Sequence, residues 1–288
     1  MRPNPKHLID FFARSLTSFQ SSPDVFRILC TLPHINQEPG PRRPAAAPPP
    51  PSSSRVKRLV VLDSSFNPPT RAHAEMARSA LKWAAAAASS APLEKNEDDD
   101  DGRGSVRLLL LLSVNNADKA PKPASFPLRL GMMDGFGHEL LRSLDGLEEE
   151  GGDGEGRGVL RRPEIDLAVT KMPYFHEKAR VIGESGVYSS SSSSSSSKRH
   201  EPEQVFLAGF DTVIRIFNPK YYGEGEGGMK AALGPFFDRA RLRVTMRTDD
   251  EWGEEDEQRA YVRGLGEGAL DELGGDAAWA GRVDLVEG

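Results

Sequence analysis

Short apolar runs recur along the chain, each followed by a polar turn and then by a stretch whose apolar residues return at helical spacing. Arg58–Asp63 is the first of these strands, and its Leu59–Leu62 centre suits a parallel strand buried on both faces. A helix follows from Ala72 to about Ala88, with Ala72, Met76, Ala77, Ala80, Leu81 and Ala84 on one packing face. Val106–Val114 predicts a second strand, and Ser125–Leu144 a helix with Phe126, Leu130, Met133 and Leu140 or Leu141 inward. Ile165–Thr170 predicts a third strand, with a helical stretch near Phe175–Glu184. Val205–Ala208 starts a fourth, leading through Gly209-Phe210-Asp211 into a helix over Thr212–Phe217. Leu242–Met246 is a fifth and Val283–Val286 a candidate sixth. This alternation predicts an α/β fold, a doubly wound parallel sheet in a Rossmann-like α/β/α sandwich. Leu8–Leu32 reads as a helical region standing apart from that sheet.

Low-complexity segments separate the ordered pieces. Pro44–Ser54 is a Pro/Ala/Ser linker, Ser89–Gly104 contains the acidic run Glu97–Asp101, Leu147–Gly158 is Glu/Gly-rich, and Ser189–Ser197 is all serine. Such segments carry too little apolar surface to repay ordering, so disordered insertions in one domain are expected; separate domains between them would be too short. The expected organisation is an N-terminal helical appendage over residues 1–40, a linker over 41–57, and one domain over 58–288 with insertions near 89–104, 147–158 and 189–200.

A length of 288 residues fits one large α/β domain or two small ones. A formal charge of −6 gives no basic footprint for nucleic acid. The single cysteine, Cys30, allows neither an intramolecular disulfide nor a cysteine-rich zinc site, and points to a reducing compartment, cytoplasm or nucleus. No apolar run is long enough for a bilayer, so no membrane partner is expected; Leu108–Leu112 is only strand-sized. Arg2, Lys6 and Arg14 among apolar residues fit either a transit peptide or a structural helix, and Asp10 with the Leu8–Phe19 pattern favours the helix.

The chemistry concentrates in Leu59–His73, LVVLDSSFNPPTRAH. Ser64 and Ser65 are small enough for main-chain N–H groups to approach an anion. Pro68 and Pro69 stiffen the turn and hold off helix until Thr70. Thr70 is then a good N-cap, and His73 falls on the same face in the first turn. A helix N-terminus favours phosphate, to which a histidine adds a donor. The plain alternative is a capped helix with a surface histidine.

The string resembles the SFNPxTxxH signature of the nicotinamide mononucleotide adenylyltransferase family, within the HxGH-type nucleotidylyltransferases, where threonine often replaces the first histidine, as Thr70 does. The resemblance spans about Arg58 to Gly288, and FDTVIRIFNPKYY and VNNADKAPKP bring it nearest to a divergent fungal branch related to the yeast promoter-of-filamentation protein. It implies that Thr70 and His73 are catalytic and that Ser64, Ser65, Phe66 and Asn67 hold ATP phosphates.

Further candidates sit at the carboxyl ends of strands, where open parallel sheets bind ligands. Asn115, Asn116 and Asp118 offer hydrogen bonds to a ribose or amide, and Lys119 a point charge for phosphate; a polar loop is the alternative. Met172 and Tyr174 can wall a pyridine ring or simply pack the core, and the Asp-Trp-Glu setting of the family is lacking there. Gly209 and Asp211 resemble the family's Gly-x-Asp, with Asp211 either on ribose hydroxyls or capping the next helix. Arg247 resembles the family's Val-x-x-Arg, as a phosphate fork or a solvated strand end. An Ile-Ser-Ser-Thr-x-x-Arg segment, which the family uses for the triphosphate, is not found before Gly288; the expectation is a truncated sequence or a member without it.

The resemblance therefore implies ATP and a pyridine mononucleotide as substrates and Mg²⁺ held through phosphates, giving NAD and pyrophosphate. The alternatives are an ATP-hydrolysing relative, a transferase for another phosphorylated acceptor, or a non-catalytic nucleotide-binding protein with an interaction role.

Overall fold

The structure, a computed structural model, describes residues 5–33, 56–89, 105–115, 124–145, 163–189, 201–223, 228–247 and 252–288. Most of the expected linker and insertions lies outside the described residues. In chain order the strands are β1 (Phe26–Leu32), β2 (Val56–Asp63), β3 (Ser105–Ser113), β4 (Glu164–Thr170), β5 (Glu203–Gly209), β6 (Ala240–Thr245) and β7 (Val283–Val286). The principal helices are α1 (Pro5–Gln20), α2 (Arg71–Ser89), α3 (Phe126–Asp145), α4 (Phe175–Glu184), α5 (Phe210–Ile216), α6 (Gly228–Arg239) and α7 (Glu255–Gly264).

All seven strands form one sheet in the order β1-β4-β3-β2-β5-β6-β7. Every pairing is parallel except β1 on β4. The alternation of apolar side chains explains why both faces are covered. Val60, Leu62, Leu108, Leu110, Leu112, Leu167 and Val169 point into one core with α1, α2 and α3. Leu59, Val61, Leu109, Leu111 and Phe206 point into the other with α4, α5 and α6. This is the doubly wound sheet expected from the strand–helix alternation. Its parallel strands run in the order 3-2-1-4-5-6 when counted alone, so the winding direction reverses between β2 and β5. Among the described residues no helix is long and apolar enough to cross a membrane.

The N-terminal region differs from expectation. Leu8–Leu32 is not a helical piece standing apart: α1 ends at Gln20, the Ser21–Asp24 turn breaks it, and Phe26–Leu32 becomes an antiparallel edge strand on β4. Two glycines of α3 make room for this packing. A Cβ on Gly131 would stand 2.7 Å from Ile9 Cδ1, and one on Gly137 2.6 Å from Leu32 Cδ1. The apolar face of α1, with Phe12 and Phe19 fully buried, therefore closes over α3 as part of the first core.

A buried polar network pins the edge strand. Asp166 on β4 is fully buried and receives Arg107 Nε at 2.6 Å, Arg107 Nη2 at 3.0 Å, Thr31 Oγ1 at 2.5 Å and Tyr188 Oη at 2.8 Å. Arg107 also pairs with Glu164 at 2.7 Å. The carboxylate is thus shared between β1, β3 and the residues after α4, and burial pushes the Tyr188 phenol well above its usual value, keeping it a donor. Taking one partner from such a network leaves the others desolvated and unpaired. We expect Asp166→Asn to lower unfolding free energy by about 3 kcal/mol in urea titration; an unchanged midpoint would mean that the network is not what holds β1.

Candidate active site

Strand β2 ends at the point where the sheet reverses its winding, and the turn to α2 is held from both sides. Ser64 N donates to the Leu111 carbonyl of β3 at 3.2 Å. Phe66 adopts φ 46°, a left-handed conformation that costs a non-glycine residue on the order of 1 kcal/mol. Its ring is fully buried, with ring centroids 6.3 Å from Phe136 and 5.9 Å from His73. Burying such a ring contributes about 2–3 kcal/mol, enough to hold the strained backbone.

Thr70 precedes the first residue of α2 and His73 is the third residue of the helix. Thr70 N–H donates to His73 Nδ1 at 2.9 Å, and Thr70 Oγ1 lies 2.7 Å from the same nitrogen. The imidazole thereby plays the part that Glu or Gln plays in a capping box, satisfying an orphan N–H of the helix start. An Nδ1 that accepts a backbone N–H carries no proton, so in the neutral ring the proton sits on Nε2. Nε2 lies 2.8 Å from Ser64 Oγ, which also accepts from Phe66 N–H at 3.4 Å. Ser64 Oγ receives these two donors, so its own proton is spent on neither of them. Burial holds the imidazole below its ordinary value, which favours this neutral form.

Beneath the turn, Asp63 at the end of β2 is paired with Lys178 of α4 at 2.5 Å, both largely buried. Lys178 escaped the sequence reading because its partner is 115 positions away.

At the neighbouring edge, Asn115 Nδ2 donates to the Lys171 carbonyl at 3.0 Å, and Ser113 Oγ donates to the carbonyls of Asn115 and Met172 at 2.7 and 3.0 Å. The Asn115 amide nitrogen therefore ties the end of β3 to the end of β4. Asn116, Asp118 and Lys119 lie outside the described residues. Tyr174 stands just before α4, stacked on His176 with centroids 5.7 Å apart and planes at 9°. Tyr221 lies 6.5 Å from Tyr174 and Tyr222 5.7 Å from His176, which makes a cluster of four rings. Tyr222 Oη donates to the Ile216 carbonyl at 2.5 Å, and burial pushes its phenol far above the usual value. Sequence reading had only Tyr174 and Met172; the adjacent Tyr221-Tyr222 pair was the signal available for the rest.

Across the reversal point, Gly209 leads β5 into α5. A Cβ there would stand 2.6 Å from Asp211 Oδ1, so the carboxylate folds back over the glycine. Asp211 Oδ1 lies 3.6 Å from Arg247 Nη1. The Arg247 backbone is clamped by the fully buried Gln258, which accepts from Arg247 N at 2.9 Å and donates to its carbonyl at 2.8 Å. Gln258 was also missed, having no motif of its own. The structure thus joins Ser64, Phe66, Thr70 and His73 by direct contacts and pairs Asp211 with Arg247. It gathers Tyr174 into the ring cluster, and all these groups stand at one sheet edge.

No family profile matches the chain. A protein of Schizosaccharomyces pombe (strain 972 / ATCC 24843), named "Putative nicotinamide mononucleotide adenylyltransferase", is 31% identical over 231 residues, which cover 80% of this chain and 69% of that protein.

The histidines give the site a pH signature. Burial lowers the pKa of both His73 and His176 from the ordinary value of 6.5. The unfolded chain then binds more protons than the folded one below that value, so stability rises with pH through this window. Their contribution is complete above about 6.5 and is lost as pH falls toward the folded pKa values. We expect the urea midpoint to be flat between about pH 7 and 8 and to fall below about 6.5, and His73→Gln with His176→Gln to remove most of that fall. A midpoint that rises on acidification would contradict the assignment.

Proposed function

Because this chain belongs to the nicotinamide mononucleotide adenylyltransferase family, we propose that it transfers the adenylyl group of ATP to a pyridine mononucleotide, nicotinamide or nicotinic acid, releasing pyrophosphate. The observation that carries the reading is the Thr70–His73–Ser64 chain of hydrogen bonds at the reversal point of the sheet. It favours one tautomer of His73 and leaves the Ser64 hydroxyl proton to be donated to a phosphate oxygen.

The attacking group is a phosphate oxygen of the mononucleotide, already anionic, so the reaction requires no strong general base. The new P–O bond forms at the α-phosphorus of ATP while the bond to the β-phosphate oxygen breaks and its electron pair leaves with pyrophosphate. Catalysis then consists of positioning two phosphates and stabilising the charge that spreads over the transferred group. Ser64 Oγ–H, with His73 behind it and Ser65, Phe66, Asn67 and Thr70 around it, forms the cradle for the ATP phosphates. Asp211 addresses ribose hydroxyls. Arg247 supplies a forked donor for phosphate, and Lys119 would add a second cation. The rings of Tyr174, His176, Tyr221 and Tyr222 form an aromatic wall for the pyridine, with Met172, Asn115 and Asn116 beside it.

Among the described residues no group of three or more His, Cys, Asp or Glu could hold a metal ion. In the proposed reaction Mg²⁺ would arrive on the phosphates of ATP and would neutralise the departing pyrophosphate.

The test is NAD formation from ATP, Mg²⁺ and nicotinamide mononucleotide, repeated with the nicotinic acid form. We expect His73→Ala to lower turnover by about 10²-fold or more while lowering stability by only about 1 kcal/mol, the scale of a lost helix cap. Near-normal turnover of that variant would sink the role of His73. ATP consumption without a dinucleotide product would replace transfer by hydrolysis.

A further inference from the structure

Arg129, in the first turn of α3, is an unusual cation: only 2% of it is exposed, and among the described residues it makes no ion pair with a carboxylate. Its Nε donates to the Ala124 carbonyl at 2.8 Å and its guanidinium lies 5.0 Å from the Phe126 ring. Its Nη1 reaches across to the phosphate turn and donates to the Ser65 carbonyl at 3.4 Å. The same helix start grips the turn a second time, where Ala124 N donates to Asn67 Oδ1 at 3.0 Å.

The Ser65 carbonyl and the Phe66 N–H belong to one planar peptide and point in opposite directions. Drawing the carbonyl toward Arg129 therefore turns the Phe66 N–H the other way, to the side where Ser64 Oγ meets His73 Nε2. A buried guanidinium without a carboxylate is also costly, and an anion brought close to it recovers part of that cost. Burial pulls the pKa of Arg129 down from its ordinary value.

We propose that Arg129 is a positioning residue of the phosphate cradle, orienting the Ser65–Phe66 peptide and supplying a buried positive charge that the phosphates of a bound nucleotide neutralise. The inference rests on the adenylyl-transfer reading for the identity of the ligand. It makes the cradle selective for phosphate charge through a residue held behind the turn.

Calorimetric binding of ATP and of AMP to the wild-type chain, Arg129→Met and Arg129→Lys tests it, with thermal midpoints measured alongside. We expect Arg129→Met to weaken ATP by about tenfold or more and AMP by no more than about threefold. Arg129→Lys, which keeps the charge but not the fork, should fold and fall between the two for ATP. Equal weakening of ATP and AMP would reduce Arg129 to a structural role and overturn the proposal, as would unchanged ATP affinity in both variants. If Arg129→Met does not fold, wild-type affinity for ATP in Arg129→Lys together with wild-type kcat overturns it instead. Dependence of ATP binding on Arg129 in a chain that makes no NAD would overturn the transfer reading and uphold this one. NAD formation with undiminished ATP affinity in Arg129→Met would do the reverse. A wild-type chain that binds no ATP would overturn both.

Discussion

Helices α2 and α5 leave the adjacent strands β2 and β5 toward opposite faces of the sheet, and the crevice opened by that divergence is what the candidate site depends on. Ala77, Ala80 and Leu81 commit α2 to one core, and Phe210, Val213 and Ile216 commit α5 to the other. Neither helix can then cover the backbone at the ends of its own strand. A parallel strand buried on both faces has no water to solvate its last peptide groups, so they need partners from the turn itself. The β2 turn meets that need with Ser64 N on the Leu111 carbonyl and with His73 Nδ1 on Thr70 N–H. The second bond does two things at once, satisfying the helix start and fixing which imidazole nitrogen carries the proton.

The charges of the sheet divide along the strand direction. On the amino side, Arg107 is held by Asp166 and Glu164, Arg58 by Glu203, and Arg241 by Asp284. Arg243 departs from this, donating to Ser79 at 3.0 Å beside the Trp83 ring. Paired charges of this kind hold strands in place and leave little field for a ligand. On the carboxyl side the cations are arranged differently. Lys178 neutralises Asp63, the one carboxylate at the end of β2, which would otherwise repel an anion in the turn above it. Arg129 stays without a carboxylate among the described residues, and Arg247 keeps a loose 3.6 Å contact with Asp211. Under the proposed function, cations placed at that edge would help draw a phosphate there.

Strands β2 to β7 were legible in the sequence because each centres on a short apolar run, and Leu108–Leu112 is buried along its whole length, as its composition implies. The phosphate turn was legible because its residues are contiguous and each has a local reason. Strand β1 was not. Arg27 and Thr31 break the apolar run, and the partners that make Thr31 acceptable, Asp166 and through it Tyr188 and Arg107, lie far along the chain. Helix α6 was hidden by Gly228, Gly234 and Pro235, which lower helix propensity on a face that tertiary packing of Met229, Leu233, Phe236 and Phe237 overrides. Lys178, Arg129 and Gln258 share one cause for being missed: each acts on a backbone or carboxylate that only the folded topology brings near.

The edge strand completes the reasoning about why the site is steady enough to hold a strained turn. Phe66 keeps its left-handed backbone only while its ring stays between His73 and Phe136, and Phe136 belongs to α3. Helix α3 is in turn packed under α1 at Gly131 and against β1 at Gly137, where an added Cβ would force Ile9 or Leu32 to shift. The same helix presents Arg129 and the preceding Ala124 to the turn. An N-terminal segment that touches no candidate ligand group therefore sets the position of the helix that both props the strained phenylalanine and grips the turn. Loosening α1 or β1 should act on the cradle through Phe136 and Arg129 before it acts on the sheet. Strand β2 has parallel partners on both sides, whereas the turn beyond it leans on α3 through Asn67 and the Ser65 carbonyl.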